Sequence, residues 1–181
     1  MAKTSNKEHI VKNYQELLAH GQREVRETAL EIIQAGIKGA DPGVSTYEAV
    51  KLSGHNLLMG EKENDLRHMN HIYVVGAGKG AFSIAESLEK ILGSHIHKGI
   101  VAVKKGDKRR LERIEVIEAG HPIPDENSVT GARKILGIAK AAGERDLVFA
   151  AITGGSSALA ALPPEGIKLE EVQQLTDLLL K

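Results

Sequence analysis

The sequence predicts an α/β protein built on a mostly parallel sheet and preceded by N-terminal helices. From about residue 72 onward, short apolar runs alternate with stretches of helical periodicity, the pattern of strands joined by helical crossovers. The runs "IYVV" (72–75) and "GIVAV" (99–103) are almost continuously apolar, as expected for strands buried on both faces. A glycine-rich turn directly follows the first run, and such turns lie where open parallel sheets bind ligands.

Helices are predicted before the sheet begins. Residues 7–20 and 23–41 each place apolar side chains on one helical face, and Gly21 separates the two stretches. Residues 41–52 are typical of a turn followed by a short helix with a Ser/Thr cap. Residues 54–70 are polar and show no clear period, so a loop is predicted there.

The elements of the sheet follow in chain order. The predicted strands are residues 72–75, 99–103, 114–119 and 146–152. The predicted helices are residues 80–92, a segment marked by apolar residues from Val129 to Ala139, and a segment from about Leu169 to the end of the chain. Strands and helices therefore alternate through this region, which favours parallel pairing.

The composition excludes several classes of function. A chain of 181 residues is expected to form one domain, or one domain with an appendage. Lys+Arg and Asp+Glu both number 24, and aromatic residues make up 3%, so no nucleic-acid or membrane-surface partner is expected. The absence of cysteine excludes disulfides, thiolate metal sites and cysteine catalysis. The chain shows no apolar leader and no run of ~18 apolar residues, so a soluble, cytoplasmic protein is predicted.

The turn after the first strand is the first candidate site. Gly76-Ala77-Gly78-Lys79-Gly80-Ala81 fits the spacing G-x-G-x-x-G/A and opens a predicted helix, whose free N–H groups favour an anion. A dinucleotide site is disfavoured because Lys104-Lys105, rather than an acid, ends the second strand. The P-loop spacing also fails. The turn is therefore predicted to hold an anion beside the charge of Lys79, and the alternative is tight strand–helix packing with a solvated lysine.

A second glycine-rich turn follows the last strand. Thr153-Gly154-Gly155-Ser156-Ser157-Ala158 supplies hydroxyls and backbone N–H donors at the same edge of the predicted sheet. The segment approaches the pattern of a serine nucleophile elbow, but no histidine follows it, which argues against a serine hydrolase. An ordinary Gly/Ser loop is the alternative.

The loop after the third strand carries titratable groups. His121, Asp125 and Glu126 lie there, and Pro122 and Pro124 stiffen it. Asp125 either belongs to the site or caps the following helix, and His121 either belongs to the site or bonds a backbone carbonyl. Together the three turns suit a polyanion, with backbone N–H groups and Lys79 holding phosphate and hydroxyls orienting a small polar substrate. Phosphoryl transfer needs mainly such positioning and charge stabilisation.

Other polar segments carry weaker signals. "HMNH" (68–71) and "HIH" (95–97) lack a third ligand at metal spacing, so surface histidines are expected and no metal ligand is predicted. Residues 104–113 contain six positive and two negative side chains and are expected to form a solvated loop, with anion steering as the alternative.

The same residues resemble the glycerate 2-kinase family, the group with a C-terminal MOFRL domain that is sometimes labelled hydroxypyruvate reductase. The similarity covers roughly Arg23 to Lys181 and is strongest in "VVGAGKGA", "IEVIEAGHPIPDEN" and "TGGSSALAALPPEGIKLEEVQQLTDLLL". It implies phosphorylation of D-glycerate to 2-phosphoglycerate with ATP and Mg2+. It also implies a Rossmann-like three-layer α/β/α N-terminal domain and an active site in the cleft between two domains.

The resemblance implies roles for individual residues. The family's glycine-turn lysine falls on Lys79, the candidate catalytic residue, and Ser157 and His121 are expected to orient the substrate. The residues expected to bind substrate or phosphate are Gly76, Gly78, Lys79, Gly80, His121, Asp125, Thr153, Gly154, Gly155, Ser156 and Ser157.

The chain departs from the family pattern at three points. The family's Ser-Gly-Gly-Gly-Ser loop falls on residues 153–157, where Thr153 keeps the first hydroxyl and Ser156 adds a Cβ in place of the third glycine. The family's Tyr-Gly-His after the second strand appears as Lys105-Gly106-Asp107, so its histidine has no counterpart there.

The resemblance predicts a domain organisation. Residues 1–20 form an N-terminal helical extension, and residues 21–181 form the Rossmann-like N-terminal domain. Family members are more than twice this long, so the chain is expected to be a fragment, one piece of a split protein, or a relic, with a missing C-terminal half as its partner. The alternatives are a non-catalytic module that binds sugar phosphates or forms homo-oligomers, and an NAD(P)-dependent hydroxypyruvate reductase.

Overall fold

The computed structural model describes residues 9–181, which separate into two compact units divided between Asp41 and Pro42. The domain boundary expected after residue 20 stays a prediction. Among the described residues, no helix combines the length and the apolar character needed to cross a bilayer.

The first unit is a pair of helices, α1 (Tyr14–Leu18) and α2 (Arg23–Gly39). Tyr14, Leu18 and Leu30 are buried against one another, and they form the small core of this unit. The prediction of α2 is confirmed.

The first predicted helix is wrong in its early part. Residues 10–13 form a bend and a turn, and residues 7–8 lie outside the described residues. The helix begins after Asn13, a residue type whose side chain competes for backbone hydrogen bonds and so favours helix starts over helix interiors.

The second unit opens with α3 (Pro42–Ala49) and a small antiparallel sheet. The prediction of a loop over residues 54–70 is wrong, because two strands of this sheet lie there. The strands are β1 (Val50–Ser53), β2 (Asn56–Met59) and β3 (Lys62–Asp65), in that spatial order. Each connection contains a glycine with positive φ, Gly54 at 58° and Gly60 at 59°. Leu57 of β2 is fully buried. Strands of four residues are too short to show a period in the sequence, and burial of side chains such as Leu57 stabilises them.

The main sheet has four parallel strands, as predicted. They are β4 (Ile72–Ala77), β5 (Ile96–Lys104), β6 (Ile114–Ala119) and β7 (Leu147–Ile152), and their spatial order is β6-β5-β4-β7. The carboxyl ends of all four strands therefore lie at one edge of the sheet.

Helices cover both faces of this sheet, which confirms the predicted three-layer architecture. They are α4 (Ala81–Leu92), α5 (Glu126–Ala141) and α6 (Ser156–Leu159), and a last helix, α7 (Leu169–Leu179), has no buried residue. Val74 of β4 packs with the α4 side chains Phe82 and Leu88, whereas its neighbour Val75 packs with Ile138 of α5. This alternation of side chains along β4 is what fixes one helix on each face.

Candidate functional site

Two of the predicted loops are hydrogen-bonded to each other at the carboxyl edge of the sheet. β7 lies beside β4, so the loop after β7 meets the glycine turn after β4. The N–H of Lys79 donates to the carbonyl oxygen of Gly154 at 3.0 Å, and the N–H of Gly80 donates to Thr153 Oγ1 at 2.9 Å. The hydroxyl that Thr153 keeps from the family's serine therefore braces the turn.

The glycines of the first turn are required by close packing. Gly78 has a φ of 130°, and a Cβ at this position would collide with Thr153. A Cβ at Gly80 would lie 2.8 Å from Pro42 Cγ. Gly76 lies inside β4 itself, where a Cβ would collide with Ala151 of β7, so the structure does not bring it into the loop cluster. Gly76 therefore serves close packing within the sheet and does not contribute to an anion site.

Lys79 and His121 meet at the backbone of Gly155. A Cβ built at Gly155 would lie 2.8 Å from His121 Cδ2 and Nε2, and 3.5 Å from Lys79 Cε. Gly155 has a φ of 90°, a conformation that disfavours any other residue. Three loops, after β4, β6 and β7, thus bring an ammonium-bearing side chain and an imidazole against one glycine.

The electrostatic environment keeps the imidazole neutral. Burial of the His121 ring lowers its pKa, and the positive charges of Lys79 and Lys104 lower it further. At neutral pH, His121 is therefore an uncharged group with one donor and one acceptor nitrogen. Within residues 9–181, the Lys79 ammonium has no hydrogen bond or ion pair, so its charge is available to a ligand.

Asp125 has a structural position at the start of α5. Its Oδ1 accepts from the N–H of Ser128 at 3.0 Å, and its own N–H donates to Ser128 Oγ at 3.0 Å, which forms a capping box. Its other oxygen lies 2.6 Å from Lys105 Nζ. Burial would raise the pKa of Asp125, but hydrogen bonds from Lys105, Gly120 and Ser128 outweigh it and lower the pKa to about 2. The carboxylate is therefore already fully engaged.

The two serines of the last turn begin α6. Ser156 is half-buried and Ser157 is exposed, and in the described part of the chain neither hydroxyl makes a hydrogen bond. Both hydroxyls remain available to a ligand at the mouth of the loop.

Sequence reasoning missed Lys104 as a member of this cluster. The sequence predicts a solvated charged loop from Lys104 onward, yet Lys104 is the last residue of β5 and its charge acts on His121. The sequence offered one indication of this position: Lys104 ends a strand and lies two residues beyond the apolar Ala102, so the two side chains share a face of the sheet.

The histidine pairs lie elsewhere. His71 Nδ1 is 3.1 Å from Asp146 Oδ1, and the rings of His71 and His97 are 4.3 Å apart, near the amino ends of β4 and β5. Across residues 9–181, no group of three or more His, Asp or Glu side chains is placed to hold a metal ion.

Comparisons with known proteins identify the family. A family model described as "Domain of unknown function (DUF4147)" matches residues 28–181. The chain is 44% identical over 158 residues to "Glycerate 2-kinase" of Pyrococcus horikoshii, which covers 87% of this chain and 35% of that protein. It is 33% identical over 159 residues to "D-glycerate 2-kinase" of Thermotoga maritima, covering 87% of this chain and 34% of the relative.

A solved structure shares the fold. The crystal structure of a Pyrococcus horikoshii OT3 protein superposes with a TM-score of 0.75 at 44% identity, over 86% of this chain and 35% of the other. The chain thus spans about a third of the length of the curated relatives that it matches. The resemblance to glycerate 2-kinases is confirmed, and the chain belongs to the family described as "Domain of unknown function (DUF4147)".

Proposed function

We propose that this chain is the N-terminal, phosphate-binding half of a glycerate 2-kinase, which transfers a phosphoryl group from ATP to the 2-hydroxyl of D-glycerate. The observation that carries the proposal is the meeting of Lys79 and His121 at Gly155. An unpaired ammonium, a neutral imidazole and backbone from two glycine turns form one anion-binding surface. The names of the curated relatives supply the reaction.

The phosphoryl group would bind at the start of α4. This helix has 12 residues, and its N-cap, Gly80, provides no side-chain cap. The four N–H groups over residues 78–81 already donate to protein oxygens. Within the described residues 9–181, the N–H groups of Phe82 and Ser83 have no acceptor, and they would add donors to the positive end of the helix dipole. Lys79 would stabilise the charge that spreads over the phosphoryl oxygens in the transition state, which is the catalytic role we assign to it.

The acceptor would be oriented by His121 and the serines. Because the pKa of His121 is lowered, its free ring nitrogen can accept a hydrogen bond from a substrate hydroxyl near neutral pH. Ser157 is exposed at the start of α6 and would offer a second contact. Gly154, Gly155 and Ser156 would contribute backbone, and Asp125 would hold the His121 loop in place through its cap.

ATP and Mg2+ make different demands on this half. The Lys79 ammonium beside Gly155 and His121 suits the phosphate oxygens of ATP. The carboxylates near the site do not fit a metal, because Asp107, Glu118 and Asp125 are each paired with Arg or Lys. Ligands for Mg2+ are therefore expected from the second half of the enzyme.

The second half would be the main partner of this chain. On β7, Val148 and Ile152 are 37% and 59% exposed on the face that α5 covers elsewhere, and no residue of α7 is buried. An edge strand with exposed apolar side chains and an amphipathic helix with no buried residue are each surfaces suited to further polypeptide. The length of the relatives supports the same partner.

A chimaeric enzyme tests the proposal. Residues 28–181 would replace the matching segment of the Pyrococcus horikoshii glycerate 2-kinase, and ATP-dependent formation of 2-phosphoglycerate would be measured. We expect activity, a loss of ~10³-fold or more in Lys79→Ala, and an unchanged rate in the control Lys90→Ala on the outer part of α4. Near-normal turnover of folded Lys79→Ala would remove the role of Lys79. NADH-dependent reduction of hydroxypyruvate, or ligand binding without transfer, would replace the kinase proposal.

A further inference from the structure

The positive side chains around the site divide into two classes. Three of them are neutralised by carboxylates: Lys105 by Asp125 at 2.6 Å, Arg109 by Asp107 at 2.7 Å, and Arg110 by Glu118 at 3.4 Å. Lys79 and Lys104 are different, because neither ammonium has a hydrogen bond or ion pair within the described residues 9–181. The charged loop that follows β5 therefore leaves the end of β5 itself unneutralised.

The backbone places Lys104 on the site's side of the sheet. Lys104 is the last residue of β5 and lies two positions beyond Ala102, so both side chains project from the same face. Ala102 packs with Leu159 of α6, the helix that the last turn opens. Lys104 also pairs with Ala119 of β6, and the chain reaches His121 two residues later.

Two unpaired cations therefore act on one neutral histidine. Lys104 ends β5 and Lys79 lies in the turn after the adjacent strand β4, and both lower the pKa of His121. An uncompensated pair of positive charges favours a ligand with two anionic groups. A phosphorylated 2-hydroxy acid has this character, since its carboxylate and phosphate stand on adjacent atoms.

The surroundings of the two lysines decide which group each one binds. Lys79 precedes the start of α4, where the helix dipole and the N–H groups of Phe82 and Ser83, which have no acceptor within residues 9–181, suit a phosphoryl group. Lys104 ends a strand and does not precede a helix, and the helix that follows the neighbouring strand β6, α5, has its start occupied by the Asp125 capping box. A lone ammonium suits the single charge of a carboxylate.

We propose that Lys104 binds the carboxylate of the hydroxy-acid substrate and so selects acids over neutral polyols, while Lys79 serves the phosphoryl group. The assignment rests on the proposed function for the identity of the substrate. Lys104 is thus a specificity-determining residue, and the resemblance to the family implies no role for it.

Binding experiments on the full chain test this assignment. Titrations of 2-phosphoglycerate, D-glycerate and inorganic phosphate would be followed by NMR at millimolar ligand, for wild type, Lys104→Met, Lys104→Arg and Lys98→Met. Lys98 is an exposed lysine at the other end of β5 and provides the matched control.

We expect Lys104→Met to weaken 2-phosphoglycerate and D-glycerate about tenfold or more, the usual effect of losing a charge-assisted hydrogen bond, and to change phosphate affinity by less than about twofold. Lys104→Arg should retain binding, and Lys98→Met should match wild type. The pKa of His121 should rise in Lys104→Met and stay unchanged in Lys98→Met, because only the first removes a positive charge near the ring.

Each other outcome overturns the assignment. If Lys104→Met binds D-glycerate as wild type does while phosphate still binds, Lys104 is not the carboxylate contact and the phosphate site survives. If phosphate affinity falls equally, Lys104 belongs to the phosphoryl side. If wild type binds none of the three anions, the proposed function fails and this assignment fails with it.

Discussion

Replacing Gly155 by alanine should perturb the fold and the candidate site together. The residue has a φ of 90°, which costs an alanine about 1–2 kcal/mol. The new Cβ would also lie 2.8 Å from the His121 ring, which must withdraw to at least 3.4 Å to reach ordinary contact. Lys79 Cε, at 3.5 Å, would be touched without a clash. The expected loss is thus dominated by backbone strain, with His121 displaced from its position.

Gly154→Ala is the matched control. A Cβ at Gly154 would have no atom within 4 Å, and its φ lies outside the left-handed range. Alanine there should be neutral or more stable by about 0.4–1 kcal/mol, because it restricts the unfolded chain. The two variants differ by one position in the same loop, so they separate the effect of Gly155 from any general sensitivity of the segment.

Thermal unfolding and NMR provide the assays. A loss of 1 kcal/mol shifts the midpoint of a domain of this size by roughly 2–4 °C, so Gly155→Ala should melt about 2–8 °C below wild type. The His121 ring resonances should move in Gly155→Ala and hold still in Gly154→Ala. Equal midpoints for the two alanine variants, together with an unmoved His121 signal, would show that the three loops do not meet as described.

Two further predictions concern the polar supports of the site. Thr153→Val should lower the free energy of unfolding by about 1–2 kcal/mol and speed amide exchange at Gly80, because the Gly80 N–H loses its acceptor, Thr153 Oγ1. Thr153→Ser should behave as wild type, and equal exchange rates in the two variants would contradict the bracing role. Asp125→Asn should cost about 1–2 kcal/mol at pH 7, because the depressed pKa, at about 2 instead of 3.8, contributes stability only above pH ~4. This deficit should disappear as urea titrations move from pH ~4 to pH ~2, and a deficit that persists at low pH would contradict the assigned charge effect. The control Asp177→Asn removes an exposed ion pair and should cost less than about 0.5 kcal/mol at every pH.

Local pattern was sufficient for most of the main sheet. The runs at 72–75 and 99–103 are apolar enough to be read as buried strands, and α4 shows a clear helical period after Gly80. In each case the side chains that create the pattern are those that the sheet buries. Elements whose apolar pattern comes from their own burial in the sheet can therefore be predicted from the sequence alone.

Pattern failed where packing from outside the segment decided the structure. The strands β1 to β3 are only four residues long each, and Leu57 becomes strand core because it joins the cluster under α4. The early part of the predicted helix over residues 7–20 has suitable apolar residues, but its described portion turns instead. Neither segment contains enough local preference to choose its own conformation.

The sequence by itself determined the parallel class of the sheet, the turns that end its strands, and the residue types able to hold an anion there. Only the tertiary structure decided that β7 lies beside β4 and β6 beside β5, so that Gly155, Lys79 and His121 meet and Lys104 joins them. Strand order follows from how helices pack over the whole sheet, and that global balance of burial leaves no mark within any one loop.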